Sequence, residues 1–525
     1  MKLTRLLSAV CAGMLLSAAS LAAFPAFADD APETFSDDAL TYERTGDGVK
    51  IVVADEGLVT VHIPDKIGAY PILAIGEYAF SKCKNLREVT IDGGVKTLET
   101  GAFSECIGLE KISLGDALET VGDGAFYYCG LLRELTLPDT VREIGPHAFS
   151  CCFSLTELAI PEGVAAIPEY AFYYDAALES VSIPDSVTSI GDMAFVRCDA
   201  LRAAELPASI TEISDYAFIS CSGVEQISLR GTASDPAFKV EDDGALLTND
   251  GSRLMLYPAA REGSSYTVPD GVTVISAYAF SGAADLKEIR LPDSVSSLGE
   301  GAFSGCKSLA QFTFPKGLTA IAGTLFAETA LTSVVIPDTV TEIGEYAFYR
   351  CTGLTSVRIP DSVKTIGSAA FFGCTGLHEV TLPDSVTEIG DTAFGFRSDP
   401  DSENTDGVIV QEDFTLRGSS GSAAKKYASD AGVRFRTVGV NGTLVLIIVI
   451  AALLLLFAAV TVISLRRRKG AASGKADVPA PEEEYDMNYT SMLAGTEDPY
   501  ERYDSSTLLG GAEDGTQETE DHPNE

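Results

Sequence analysis

Phenylalanine, usually preceded by alanine, returns every 23 residues through most of this chain. It stands at Phe80, Phe103, Phe126, Phe149, Phe172, Phe195 and Phe218. After an interruption the beat resumes at Phe280, Phe303, Phe326, Phe348, Phe371 and Phe394, with one interval of 22. A fixed period of about 20–29 residues with regularly placed aliphatics is the pattern of a leucine-rich solenoid. One such unit cannot bury its apolar face alone, whereas a stack of them buries a continuous core. The period therefore points to a binding scaffold before it points to a catalyst.

One unit shows how the coil forms. Leu377, Val380 and Leu382 are followed by Pro383-Asp384. The same frame recurs at Leu86, Val89, Ile91; at Leu132, Leu135, Leu137; at Leu178, Val181, Ile183; and at Leu354, Val357, Ile359. Alternation on an extended chain sends Val380 and Leu382 inward and Glu379 and Thr381 to solvent. Proline ends the strand because it has no amide to donate. In the following Pro-Asp-Ser or Pro-Asp-Thr turn, the aspartate is expected to bond nearby backbone amides. A second apolar pair, Val386 and Ile389, precedes a bend at Gly390. The Ala-Phe pair is then expected to open a brief helical or 3₁₀ turn that points its ring into the coil. Losing one such ring should cost about 3–5 kcal/mol.

These residues resemble the BspA-type leucine-rich repeats of bacterial surface proteins. Ile183-Pro184, Val187, Ile190-Gly191, Ala194-Phe195, Cys198 and Leu201 match that repeat position by position, and the resemblance extends over about residues 58–396. It implies a right-handed leucine-rich repeat solenoid with a parallel β-sheet on its concave face and short 3₁₀ or helical turns and short strands elsewhere. Residues 29–57 precede it as an N-terminal cap region, and the repeats run over 58–230 and 271–396. Residues 231–270 resemble the family's hairpin insertion, with Asn249-Asp250-Gly251 as an independent hairpin signal. Residues 397–437 resemble its C-terminal strand-helix-strand cap, which closes the last coil. Family members are implicated in adhesion to host matrix proteins and to other bacteria.

The ends of the chain point to a surface location. Residues 1–28 read as a secretory signal: Lys2 and Arg5, an apolar run, then Ala26-Phe27-Ala28 before Asp29. Leu444 to Leu465 holds no charge and is long enough for a transmembrane helix, with Arg466, Arg467, Arg468 and Lys469 after it. The expected topology is single-pass, with 29–443 outside the cell and the tail 466–525 in the cytoplasm. Residues 470–525 carry two Lys/Arg against fifteen Asp/Glu, a disordered composition. Tyr485, Tyr489, Tyr500 and Tyr503 lie there among acids and suit phosphorylation or a cytoplasmic partner. The formal charge of −39 over 525 residues excludes a general nucleic-acid binder, which needs a basic footprint.

Little in the chain suggests chemistry. Nine cysteines follow a phenylalanine by three residues: Cys83, Cys106, Cys129, Cys152, Cys198, Cys221, Cys306, Cys351 and Cys374. Equivalent positions in adjacent coils lie about 4.8 Å apart, too far for the roughly 3.8 Å between the Cβ atoms of a disulfide, so a ladder of buried thiols is expected. The four histidines, His62, His147, His378 and His522, fall in separate units, and no Gly-x-Ser-x-Gly, His-Glu-x-x-His or phosphate-loop pattern is present. No catalytic, metal or cofactor residue is nominated. The candidate ligand-facing positions are solvent columns of the strands: Glu88, Thr90, Lys111, Ser113, Glu134 and Thr136, with Arg290 and Arg358 the least generic. The leading expectation is a non-enzymatic surface protein that binds an extracellular protein or glycan. The alternative is a transmembrane receptor or scaffold coupling that binding to partners of the acidic tail.

Overall fold

The computed structural model describes residues 34–37, 39–399, 407–438, 450–456 and 458–459. The chain divides into two units, Met1–Val440 and Asn441–Glu525. In the first, most repeats contribute one short strand to each of two parallel ladders, while the segments 132–137 and 309–314 form no strand in the first of them. The first sheet uses the Leu-x-x-Val-x-Leu segment, as in Glu88–Ile91 and Lys111–Ser113, where Glu88 pairs with Lys111 and Thr90 with Ser113. The second uses the short apolar pair, as in Glu342–Ile343, Thr365–Ile366 and Glu388–Ile389. The 22-residue interval appears here as Ala320 pairing with Glu342.

The segment around each phenylalanine forms a third ladder. Phe80 donates to the Ala102 carbonyl at 2.9 Å, Phe103 to Ala125 at 2.8 Å and Phe126 to Ala148 at 2.8 Å. The intervening amides bond within the turn, as Ala79 does to Gly76 and Ser81 to Tyr78. The expected helical or 3₁₀ turn is therefore corrected: among the described residues no repeat has one. The cause lies in the backbone. Residues on either side of the ring take left-handed φ, 55° at Tyr78 and 63° at Lys82, 61° at Gly101 and 56° at Glu105. A 3₁₀ helix needs successive negative φ values, so these residues end it before it starts. They also aim alternate amides at the next coil.

All thirteen repeat phenylalanines are buried, at most 6 % exposed. Their rings stack coil upon coil, with centroids 4.9–6.0 Å apart from Phe80 to Phe218 and 4.8–5.6 Å apart from Phe280 to Phe394. The Pro-Asp turns require a second correction. Among the described residues the aspartates of these turns do not accept backbone amides; instead the next Ser or Thr reaches back one coil, as Thr140 does to the carbonyls of Asp116 at 2.8 Å and Leu118 at 2.7 Å. A hydroxyl pointing along the stack thus ties one turn to the carbonyls of the turn before it.

The core forms two clusters that adjoin at the hairpin insertion. Strands Phe238–Val240, Leu246–Thr248 and Arg253–Leu256 pair antiparallel, and the last joins the second sheet in parallel with Val274–Ile275. Leu246 belongs to one cluster and Leu247 to the other, both fully buried. Neighbours on a strand face opposite ways, so one hairpin walls off two cores. Tyr257 then lies 4.9 Å from Phe280, where the second ring stack begins.

At the N-terminal end, Leu40–Arg44 and Val49–Ala54 pair antiparallel and hand on to Tyr70–Ile75 in parallel. At the other end, Thr415–Gly418 extends the first sheet, followed by the helix Ala423–Ala431 and the strand Arg434–Thr437. Ser422 caps the helix and left-handed Gly432 ends it. Phe414 stacks on Phe394, and the Tyr427 hydroxyl bonds the Phe394 backbone at 2.9 Å, so the cap completes the ring stack. In the second unit, residues 450–456 and 458–459 are helical, with Leu453, Leu454, Leu455 and Leu456 exposed. Among the described residues no helix is long and apolar enough to cross a membrane. The signal segment 1–28, the tail 466–525 and the rest of 444–465 lie outside the described residues.

Candidate functional site

The strand columns are solvent-facing. Glu88, Lys111, Ser113, Glu134, Thr136, Arg290 and Arg358 are exposed, and Thr90 is half-buried. The three basic residues are each paired with a carboxylate: Lys111 lies 3.5 Å from Glu88, Arg290 2.8 Å from Glu288, and Arg358 3.2 Å from Asp338. Exposed pairs of this kind contribute little stability. Arg290 and Arg358 lie three coils apart and form no common site. Neither column carries an aromatic residue.

The aromatics are gathered elsewhere, on the turns around the buried phenylalanines. Positions two before, one after and two after the ring reach the surface in some coils and are buried in others. In four consecutive coils these positions supply Tyr127, Tyr128, His147, Tyr170, Tyr173, Tyr174 and Arg197, and Phe153 joins them. They form an unbroken chain of contacts. Phe153 meets Tyr128 edge-on at 5.4 Å, Tyr128 meets Tyr127 at 5.9 Å, and Tyr127 meets His147 at 6.4 Å. His147 stacks flat on Tyr170 at 4.5 Å, followed by Tyr173 at 5.5 Å and Tyr174 at 4.6 Å. The Arg197 guanidinium covers the Tyr174 ring at 5.3 Å. Tyr127, Tyr128 and Phe153 are 38 %, 42 % and 39 % exposed, Arg197 is exposed too, and His147, Tyr170, Tyr173 and Tyr174 are half-buried. Burial pushes the Tyr173 phenol up to about 12, so it remains a hydrogen-bond donor at any physiological pH.

Beneath the belt runs the thiol ladder. All ten cysteines among the described residues are free and buried. Each ladder thiol after Cys83, which faces the Asp55 carbonyl, donates one coil back to the carbonyl of the preceding phenylalanine: Cys106 to Phe80 at 3.0 Å, Cys129 to Phe103 at 3.2 Å, Cys152 to Phe126 at 3.3 Å and Cys198 to Phe172 at 3.2 Å. Burial pushes the Cys106 and Cys306 thiols up to about 12. They stay protonated, which makes them structural donors and poor nucleophiles. Asp175 takes the cysteine position after Phe172. It is fully buried, its Oδ1 accepts the Cys152 amide at 2.8 Å, and its Oδ2 has no partner. Burial holds its carboxyl well above the usual range. Among the described residues no cluster of three or more His, Cys, Asp or Glu could hold a metal.

The sequence profile of the BspA type leucine rich repeat region matches in six copies, over residues 57–177, 165–236 and 264–399. The chain belongs to the BspA-type leucine-rich repeat family. Among solved structures it is similar to a leucine rich cell surface protein of Faecalibacterium prausnitzii, at 30 % identity and TM-score 0.59, covering 70 % of this chain and 96 % of that one. It is also similar to the pneumococcal vaccine antigen PcpA, at 18 % identity and TM-score 0.47 over 78 % and 99 % of the two chains. A leucine-rich repeat protein of Eubacterium ventriosum is similar at 21 % identity and TM-score 0.41 over 71 % and 98 %. None of the curated proteins compared with the chain matches it. Leucine-rich repeat proteins of this surface-protein family are in general protein-binding scaffolds without catalytic activity.

Proposed function

We propose that this protein is an exported, membrane-held adhesin whose stacked repeats bind an extracellular protein or glycan through the aromatic belt. The observation that carries the reading is the contiguity of Phe153, Tyr128, Tyr127, His147, Tyr170, Tyr173 and Tyr174 across four coils, closed by Arg197. Tyrosine and arginine lead the residue types that anchor interfaces, because each offers a large rigid face and a polar tip at small entropic cost. The rings are already locked against one another, so little ordering is lost on binding. Membrane attachment through Leu444 to Leu465, with 29–443 outside, is supported by the charge-free stretch and the basic cluster after it. Residues 29–440 should retain a ligand from a glycan array or a panel of host matrix proteins. The same fragment with Tyr128→Ala, Tyr170→Ala and Tyr174→Ala should lose it. Equal retention by both fragments would refute the belt as the binding surface.

A further inference from the structure

The aromatic belt is flanked by carboxylates that the fold leaves without a counter-charge. Asp123, Glu169 and Asp192 stand three residues before Phe126, Phe172 and Phe195, each next to the position that His147 and Tyr170 hold in their own coils. Pro146 takes that place before Phe149. All three acids are exposed, and among the described residues none forms an ion pair; Asp192 accepts the Ser214 hydroxyl. They lie within electrostatic reach of the rings: after burial, the charges of Glu169 and Asp192 are what raise the Tyr170 phenol. Against them, the turn segments 123–128, 146–153, 169–176 and 192–199 hold one arginine, Arg197, and no lysine. The surface is therefore aromatic and net acidic at once.

The chain's own side chains show what such rings accept. Arg197 lies over Tyr174 at 5.3 Å, Arg350 over Tyr349 at 5.1 Å and Arg44 over Tyr70 at 5.1 Å. A guanidinium gains there from the negative face of the ring and from flat apolar contact. Tyr127 and Tyr128, the most exposed tyrosines of the belt, carry no cation of the chain itself among the described residues. Four coils stacked at about 4.8 Å span roughly 14 Å, the reach of four or five residues of extended chain at about 3.3 Å each. We propose that the partner of the belt is an extended, arginine-bearing segment of a protein, with guanidiniums stacked on Tyr127, Tyr128 and Tyr170 and paired with Asp123, Glu169 and Asp192. The inference rests on the belt being the binding surface and chooses protein over glycan. A neutral glycan would leave the three carboxylates without a counter-charge, and an acidic one would be repelled.

The test uses the full chain and the labelled peptide (Arg-Ser)₄, followed by fluorescence anisotropy at physiological salt. The peptide should bind. Binding should weaken at least tenfold when citrulline replaces each arginine, which keeps the shape and removes the charge. It should weaken at least threefold for (Lys-Ser)₄, which keeps the charge and removes the planar face. Asp123→Asn, Glu169→Gln and Asp192→Asn together should cost at least tenfold, as should Tyr128→Ala with Tyr170→Ala, both variants folded by circular dichroism. Glu342→Gln, Asp361→Asn and Glu388→Gln remove the same charge from exposed positions of the second array and should leave binding unchanged. Failure of (Arg-Ser)₄ to bind, equal binding of the citrulline peptide, equal loss in the two acid variants, or binding that survives the tyrosine changes would overturn the proposal. Should (Arg-Ser)₄ fail while residues 29–440 retain a glycan that the Tyr128→Ala, Tyr170→Ala and Tyr174→Ala fragment loses, the belt stands and this inference falls.

Discussion

The two repeat arrays share one interior and differ in what they show to solvent. Around Phe149 and Phe172 the turn residues that reach the surface are His147, Tyr170, Tyr173 and Tyr174; around Phe303 and Phe326 they are Ser304, Gly305, Thr324 and Glu328. The rings underneath stack alike, Phe149 on Phe172 at 5.4 Å and Phe303 on Phe326 at 5.6 Å. The left-handed turns recur too, with φ of 57° at Tyr170 and 57° at Gly301. A smaller aromatic group returns near the end of the second array, where Tyr349 stacks on Phe372 at 5.4 Å under Arg350. The interior is thus the invariant part of each coil, and the outward turn positions are where the coils acquire individuality.

If the interiors are equivalent, damage to either should cost the same. Phe172→Ala in the first array and Phe326→Ala in the second should each lower stability by about 3–5 kcal/mol in denaturant unfolding. A large inequality would break the comparison. Asp175 is a departure inside the first array, and correcting it should be stabilising. Asp175→Cys should restore the ladder and raise stability by about 1–3 kcal/mol at pH 7. The sign follows from linkage: the folded state keeps the proton that the unfolded state releases near pH 4, so stability falls as pH rises from there toward the folded pKa. The gain from Asp175→Cys should therefore shrink as pH is lowered to 4, and a gain independent of pH would mean that the carboxyl is ionised in the fold.

Smaller effects should come from the turns. A Cβ on Gly101 would meet the Tyr78 ring at 2.4 Å, and one on Gly301 would meet the Tyr278 ring at 2.3 Å. Gly101→Ala and Gly301→Ala should each cost about 1–2 kcal/mol, measured by thermal unfolding, because both also hold left-handed φ. Thiol labelling should show no difference between the arrays: no cysteine reacts in the native protein, and ten react beyond the signal segment after denaturation.

The period made the interior legible in the sequence. Phe80 to Phe394, the cysteines three residues behind them and Asn249-Asp250-Gly251 are features that repeat or carry their own turn chemistry. The turns themselves were misread, because Tyr78, Lys82 and Glu105 are not residue types that announce left-handed backbone. Their conformation is imposed by hydrogen bonds to the next coil. The belt escaped for the opposite reason. A pattern built on what recurs passes over His147 and Phe153, which occur once each at their positions, and favours the strand columns. A scan for aromatics at the outward turn positions of adjacent coils would have found it.

The most direct test is calorimetric. Once a ligand is retained by residues 29–440, its affinity is compared between the native fragment and one carrying Tyr128→Ala, Tyr170→Ala and Tyr174→Ala, with Tyr346→Ala and Tyr349→Ala in the second array as the matched control. The account predicts a loss of at least about 2 kcal/mol, roughly thirtyfold, for the first set and unchanged affinity for the second, with both variants folded by circular dichroism. Unchanged affinity in the first set, or an equal loss in both, would contradict it.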